Sequence, residues 1–400
     1  MKQSEYADRI AATDSSMLAE LFIASSDPKN ISFAGGYPDQ TLFPAQALQD
    51  SFTKAIQAGA PGIYQYTDAK GPIDLRSILA QRHLARTNVQ TSTDEILITQ
   101  GGQQAIDLIA RLFLNKHSGL GVEAPTYMGA ISAFNTYEPT YFEIPLETDG
   151  LDVAYLEQQL KSHRGANRIR LMYVIPDFQN PTGVTLSVLK RQRLAQLARE
   201  YDFYILEDSP YRDLRYSGED LPTIQSFDTD GRVLYVSSFS KILSPGLRVG
   251  YIQAAPELIT ELAGLKSSAD VQSPNMTLEA LATFLNENSI DDHINRMKPI
   301  YAAKRDAMIN ALHEYLPATV TFTKPDGGFF LWLQAPQNVN LLKFLKEILM
   351  PEANIVYVPG QPQFATSISM NTARLNFSNV PLEKIEPAVK RMAELLNKYL

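Results

Sequence analysis

Lys241 ends the segment Ser237-Ser238-Phe239-Ser240-Lys241, which follows the apolar run Val233–Val236. An amine at the end of a buried strand loses solvent, its pKa falls, and it becomes a nucleophile toward carbonyls. A solvated surface lysine is the plain alternative. Seven residues on, Pro245-Gly246-Leu247-Arg248-Val249-Gly250 adds a guanidinium. Together with the hydroxyls of Ser238 and Ser240 it could hold a phosphate. A second segment, Glu207-Asp208-Ser209-Pro210-Tyr211, follows Phe203–Leu206. Carboxylates at the end of a buried strand are costly unless paired, so they either reach solvent or face a cation. Tyr211 can share that space. In a third segment, Gln100-Gly101-Gly102-Gln103-Gln104 follows Glu95–Thr99. Glycines between a strand and a helix leave N–H groups pointing outward, which makes an anion site. A tight turn explains them equally, and the spacing is neither a dinucleotide fingerprint nor a Walker A loop. The fourth, Asn180-Pro181-Thr182-Gly183, follows Arg170–Ile175; a turn accounts for its Pro and Gly and leaves Asn180 as a candidate ligand.

The four segments together describe one ligand: a phosphorylated aldehyde with a basic ring nitrogen. Lys241 would condense with the aldehyde, and Asp208 would pair with the ring nitrogen. Ser238, Ser240, Arg248 and a helix N-terminus would hold the phosphate. Pyridoxal phosphate carries these groups.

The elements that must position them can be read from pattern. Between about residues 93 and 254, short apolar runs alternate with helical patterns such as Gln103–Leu114 and Ser187–Tyr201. The runs are Glu95–Thr99, Leu120–Glu123, Arg170–Ile175, Phe203–Leu206, Val233–Ser237 and Val249–Ile252. That order predicts an α/β domain with a mostly parallel central sheet, whose ligands sit beyond the carboxyl ends of the strands. Helices are then expected over Pro256–Lys266, Met276–Glu287 and Asp291–Tyr315. Strands follow at Thr319–Thr323, Gly328–Leu333, Ile355–Val358 and Arg374–Phe377, with a last helix over Glu383–Tyr399. Residues 46–270 are expected to form the large cofactor-binding domain, and residues 1–45 with 271–400 a smaller α+β domain.

Composition narrows the function classes. A chain of 400 residues exceeds what one core usually serves, so two domains are expected. The net charge of −8 does not suit nucleic acid. With no cysteine there is no disulfide and no thiolate chemistry, which fits a cytoplasmic protein. His83, His117, His163, His293 and His313 form no HxxxH or HExxH pattern, so no metal site is expected. The start MKQSEYADRIAATDSS is polar, unlike a signal peptide, and no apolar window approaches about 18 residues, so no membrane span is expected.

In order and spacing, Asn180-Pro181-Thr182-Gly183, Asp208-Ser209-Pro210-Tyr211 and Ser238-Phe239-Ser240-Lys241 through Arg248 resemble fold type I, class I/II aminotransferases. The resemblance runs from about Ile31 to the C-terminus. Ile31-Ser32-Phe33-Ala34-Gly35-Gly36-Tyr37-Pro38 and Gly102-Gln103-Gln104 are similar to the subgroup of 2-aminoadipate, kynurenine and multi-substrate aminotransferases. The resemblance implies the pyridoxal-phosphate-dependent transferase fold, with helices on both faces of the sheet. It makes Lys241 the residue that binds the cofactor covalently and then shuttles the proton between substrate Cα and cofactor C4′. Asp208 would keep the pyridine nitrogen protonated. Tyr211 and Asn180 would bond the ring oxygen, and Tyr127 would stack on the ring. Ser238, Ser240, Arg248 and the backbone of Gly102 and Gln103 would cup the phosphate. Tyr66 would reach the phosphate of the neighbouring subunit, which implies a homodimer with active sites at the interface. Arg374 would grip the substrate α-carboxylate, a planar anion suited to a guanidinium fork, with Gly36 and Asn180 nearby.

One departure bears on the substrate. Relatives that take acidic side chains often carry Ser-x-Ile-Arg-Glu in an early helix, whereas this chain has Ser16-Met17-Leu18-Ala19-Glu20. Tyr37 occupies the pocket position after the glycine pair. An aromatic or large apolar amino donor is therefore expected, with 2-oxoglutarate as acceptor and ping-pong kinetics. A C–S β-lyase on the same scaffold is the alternative. A non-catalytic regulator module is not expected, because its DNA-binding part would need roughly a further hundred residues ahead of Ile31.

Overall fold

The computed structural model describes residues 7, 9, 10, 20 and 23–400. Ser16, Met17, Leu18 and Ala19, on which the expectation about acidic substrates partly rests, lie outside these residues. A short strand, β1 (Ile31–Ser32), precedes eight strands of one sheet. These are β2 (Ile96–Thr99), β3 (Gly119–Ala124), β4 (Thr140–Glu147), β5 (Gly150–Leu151), β6 (Ile169–Val174), β7 (Tyr204–Asp208), β8 (Val233–Ser238) and β9 (Gly250–Gln253). Their order is β2-β9-β8-β7-β6-β3-β4-β5. The run β8-β7-β6-β3-β4 is parallel. Strand β9 lies antiparallel between β2 and β8, and β5 lies antiparallel to β4.

Helices α1 (Ala45–Gly59), α2 (Ile73–Thr87), α3 (Gly101–Phe113), α4 (Met128–Asn135), α5 (Val153–Ser162), α6 (Val188–Tyr201), α7 (Pro256–Asp270), α8 (Asn275–Glu287) and α9 (Ile290–Tyr315) pack around this sheet or lead away from it. Alternating side chains of β6 serve two cores. Leu171 and Tyr173 join Ile106 and Ile109 of α3. Met172 and Val174 join Leu156 of α5 and Leu194 of α6. Both faces are therefore covered, and β2 and β6 are apolar along almost their whole length for that reason.

The smaller domain has an antiparallel sheet of order β10-β11-β14-β13, made of β10 (Thr321–Phe322), β11 (Phe330–Gln334), β13 (Val358–Pro359) and β14 (Thr372–Asn376). The remaining strand, β12 (Ile355–Val356), pairs in parallel with β1 and ties the N-terminal segment down. The single strand expected over Ile355–Val358 is thus split at Tyr357 between two sheets. A C-terminal helix, Leu382–Tyr399, buries Ile385, Val389 and Met392 in the small core. Strand β4 was not expected; it is partly exposed and carries Glu143 and Pro145, so no apolar run marks it. Leu281 and Phe284 of α8 and Met297 and Tyr301 of α9 belong to the large core. Met308 and Leu312 belong to the small one, so the side chains of α9 divide between the two cores. No helix among the described residues is long and apolar enough to cross a membrane.

The loop after β6 is held by buried charge. Arg191 of α6 is fully buried and donates to Asp177 at 2.7 Å and to the carbonyls of Leu186 and Pro176 at 2.8 and 2.9 Å. Arg212 adds a contact to Asp177 at 3.3 Å. Burial pushes the Asp177 carboxyl up, but the charges of Arg191, Arg212 and Arg215 outweigh it and hold it below the ordinary carboxylate value. Asp177→Ala leaves these guanidinium groups buried without their anion and is expected to cost about 3–5 kcal/mol in urea unfolding. An unchanged unfolding midpoint would contradict that reading.

Candidate active site

Five strands that run the same way, β2, β3, β6, β7 and β8, deliver polar segments to one edge of the large sheet, where their carboxyl ends open onto a cavity of about 290 Å³. The cavity is lined by Gly102 and Gln103 after β2, Tyr127 after β3, Asn180 after β6, Asp208 and Tyr211 at and after β7, and Ser238, Ser240, Lys241 and Arg248 at and after β8. The N-terminal segment adds Gly36 and Tyr37, and the small domain adds Arg374. Tyr66 does not line this cavity; it is 78% exposed on the surface of the chain.

Lys241 donates from Nζ to the Gly36 carbonyl at 2.8 Å. Burial, reinforced by the charges of Arg374 and Arg248, pushes its amine down to about 8, with Asp208 opposing. A substantial fraction is therefore neutral and nucleophilic near physiological pH. Asp208 is buried, and its Oδ2 accepts the Tyr173 hydroxyl at 2.7 Å. Burial pushes its carboxyl up to about 7, against the Tyr173 hydrogen bond and the Lys241 charge. A carboxyl so placed would be ionised readily by a cationic neighbour, such as a protonated ring nitrogen.

The far end of the cavity suits a phosphate. Gly101 opens α3 at φ +72°, and a Cβ there would stand 2.7 Å from Nη2 of Arg248. Only glycine lets the guanidinium lie this close to the helix start. The backbone of Gly102 and Gln103 presents free N–H groups of the first helical turn. Ser238 Oγ donates to Ser240 Oγ at 2.8 Å and accepts the Ser240 N–H at 3.1 Å, which groups the hydroxyls beside Arg248. Cation, hydroxyls and helix dipole converge, the donor set a dianion requires.

Arg374 lies on β14, opposite Trp332 of β11 and Val358 of β13. Its Nη1 donates to Asn180 Oδ1 at 2.9 Å and its Nη2 to the Ala34 carbonyl at 2.5 Å. The guanidinium lies over the Phe330 ring at 4.3 Å, and its buried Nε has no partner. Burial pushes it down to about 10, with Tyr211 and Tyr127 opposing. An orphaned N–H on a buried guanidinium is an unused donor for a carboxylate. Tyr211 is buried, bonded to Asn180, and meets Phe330 edge-on at 5.7 Å. Tyr127 leads into α4 with its ring over Gly129, where any Cβ would collide with it.

Tyr173 and Phe330 were among the contributors not foreseen in the sequence. Tyr173 sits in the middle of an apolar strand and reads there as core. Phe330 follows Phe329 at the start of β11, and nothing in their types shows which of the two faces the cavity.

Comparison with known proteins places this geometry. The chain matches the family described as Aminotransferase class I and II over residues 33–392. It is 38% identical to the aromatic-amino-acid aminotransferase 1 of Thermococcus litoralis over 396 residues, 99% of this chain and 94% of that protein. The solved structure of Pyrococcus horikoshii kynurenine aminotransferase is 37% identical and superimposes with a TM-score of 0.94, covering 100% of this chain and 98% of that one. The α-aminoadipate aminotransferase LysN of Thermus thermophilus, solved with N-(5'-phosphopyridoxyl)-L-leucine, is 32% identical at a TM-score of 0.89, covering 100% and 99% of the two chains. The buried amine, the carboxyl beside Lys241 and the phosphate-ready helix start fit a phosphopyridoxyl group such as the one with which LysN was solved, and the chain belongs to the class I and II aminotransferases of fold type I, an enzyme whose cofactor is pyridoxal phosphate.

Proposed function

We propose that this aminotransferase takes the amino group of an aromatic or large apolar L-amino acid and passes it to 2-oxoglutarate, by a ping-pong mechanism at one site. The observation that carries the substrate reading is the apolar lining of the cavity: Phe330 under the Arg374 guanidinium and Val358 opposite it on β13, with Tyr37, Ile106 and Met128 elsewhere in the wall. Among the described residues, the cations lining the cavity are Lys241, Arg248 and Arg374, and each has another task in this reading. An acidic side chain would therefore meet apolar surface, whereas an aromatic or branched aliphatic one would bury area there.

Bound in this cavity, pyridoxal phosphate supplies an aldehyde for the amino group and a ring that draws electron density from the substrate Cα. The chain's own residues do the rest. Arg374 would bind the α-carboxylate through its free Nε and so orient the substrate, with Asn180 and Gly36 lining the same cavity. The Lys241 amine would act as the general base that takes the proton from the substrate Cα and then as the acid that delivers it to the cofactor C4′. Asp208, held by Tyr173, keeps a proton on the ring nitrogen. Asn180 and Tyr211 donate to the ring oxygen, and Tyr127 stacks on the ring. Ser238, Ser240, Arg248 and the N–H groups of Gly102 and Gln103 anchor the phosphate. Tyr66, exposed on its own subunit, reaches the phosphate site of its neighbour in a homodimer. The reading places that dimer in the cytoplasm, in keeping with a chain without cysteine. A C–S β-lyase would share the steps up to proton loss at Cα, but the relatives named above are aminotransferases.

With 2-oxoglutarate as acceptor, kcat/KM is expected to be higher for phenylalanine or leucine than for 2-aminoadipate in steady-state assays. The reverse order would overturn the substrate reading. Arg374→Ala is expected to lower kcat/KM for amino acids by about a hundredfold, the scale of a lost charge-assisted contact to the carboxylate. A variant with unchanged kcat/KM would show that the carboxylate is bound elsewhere.

A further inference from the structure

The turn between β2 and α3 is fixed by a carboxylate that the chemistry above does not use. Asp270 is the last residue of α7. Its Oδ2 accepts Gln100 Nε2 at 2.6 Å and Gln104 Nε2 at 2.6 Å. Gln104 returns its Oε1 to the Gln100 N–H at 2.8 Å, and the Gln100 carbonyl accepts Arg248 Nη2 at 3.1 Å. One carboxylate thus holds the residues on both sides of Gly101-Gly102-Gln103 and, through Gln100, the guanidinium that faces them.

This arrangement answers a specific difficulty. A helix start is ordinarily fixed by a side chain that caps its free N–H groups. Gln100 makes no such cap, and a cap at Gly102 or Gln103 would occupy the N–H groups offered to the phosphate. The turn also contains Gly101 at φ +72° and packs on Arg248 at φ +53°, so it needs support from outside. Asp270 supplies that support from behind while leaving the N–H groups open. A lone carboxylate here would repel a phosphate. Lys266, its side chain fully buried, meets both Asp270 oxygens at 2.7 and 2.8 Å and cancels that charge at contact.

The backbone just beyond is strained. Val271 has φ +65° and ψ −57°, and the Gln272 N–H donates to the Asp270 carbonyl at 2.7 Å, closing a three-residue turn of the uncommon hand. A β-branched residue adopts this conformation only where its surroundings impose it. Gln272 then accepts the Thr67 N–H, next to Tyr66. The strained turn sets one side chain on the phosphate turn and the next on the Tyr66 segment.

We propose that Asp270 is a positioning residue for the cofactor phosphate, acting through Gln100 and Gln104 on the α3 N-terminus and Arg248. The inference rests on the assignment of the Ser238–Arg248 cup to the phosphate. The full-length protein, freed of cofactor, is titrated with pyridoxal phosphate and with pyridoxal, which lacks the phosphate, and binding is followed by absorbance. Asp270→Asn is expected to weaken pyridoxal phosphate about tenfold, the scale of one weakened charge-assisted contact, and to leave pyridoxal unchanged. Gln104→Met should show the same selectivity and decides the matter alone if the first variant does not fold. Arg248→Ala serves as the reference for a lost phosphate contact. Selective loss in Arg248→Ala but equal or no loss of the two ligands in the other variants overturns the role of Asp270 alone. Absence of selective loss in Arg248→Ala overturns the phosphate assignment and this inference with it.

Discussion

Three ionisable groups, Asp208, Lys241 and Arg374, surround one cavity with neutral partners. Asp208 leans on the Tyr173 hydroxyl, Lys241 on the Gly36 carbonyl, and Arg374 on the Asn180 side chain and the Ala34 carbonyl. Buried charge is costly unless an opposite charge or strong hydrogen bonds meet it. The shifts show that cost: the carboxyl goes up to about 7, the amine down to about 8, the guanidinium down to about 10, each toward its neutral form. The contrast with Asp177 is instructive, since that carboxylate is buried against Arg191 and Arg212 and stays below its ordinary value. Around Asp177 the chain completes its own ion pairs; around the cavity Asp208, Lys241 and Arg374 meet only neutral partners, and in the proposed reading the cofactor and substrate would supply the rest.

The fold makes that incompleteness tolerable. Asp208 and Lys241 are carried at the carboxyl ends of parallel strands buried on both faces, so their backbone cannot relax toward water. Arg374 comes from the other domain, on a strand paired on both sides, and bonds to a large-domain side chain and to the N-terminal segment. One guanidinium therefore joins three parts of the chain at the point where the substrate carboxylate would bind.

Much of this could be read from residue order. Runs such as Arg170–Ile175 and Val233–Ser237 are short, largely apolar and bounded by turn residues or polar breaks, so their strands stand where the pattern puts them, within a residue or so at each end. The chemical segments are contiguous after those strands, and local sequence shows them directly. What depends on tertiary contact was hidden. Strand β4 lies partly exposed toward the sheet edge and has no apolar run. Ile355–Val358 reads as one strand because nothing local says that Tyr357 turns the chain from β1 to β14. Tyr173 resembles any core aromatic until the Asp208 oxygen stands 2.7 Å from its hydroxyl. Asp270 falls beyond the helix expected over Pro256–Lys266, and nothing local links it to Gln100 and Gln104, which are far off in sequence.

The central claim is that the Lys241 amine holds the cofactor aldehyde. Borohydride reduction of the purified holoenzyme, followed by proteolysis and mass mapping, tests it most directly. The account predicts one pyridoxyl-phosphate label, on the peptide that contains Lys241. A label on any other lysine, or a reduced protein that carries none, would contradict it.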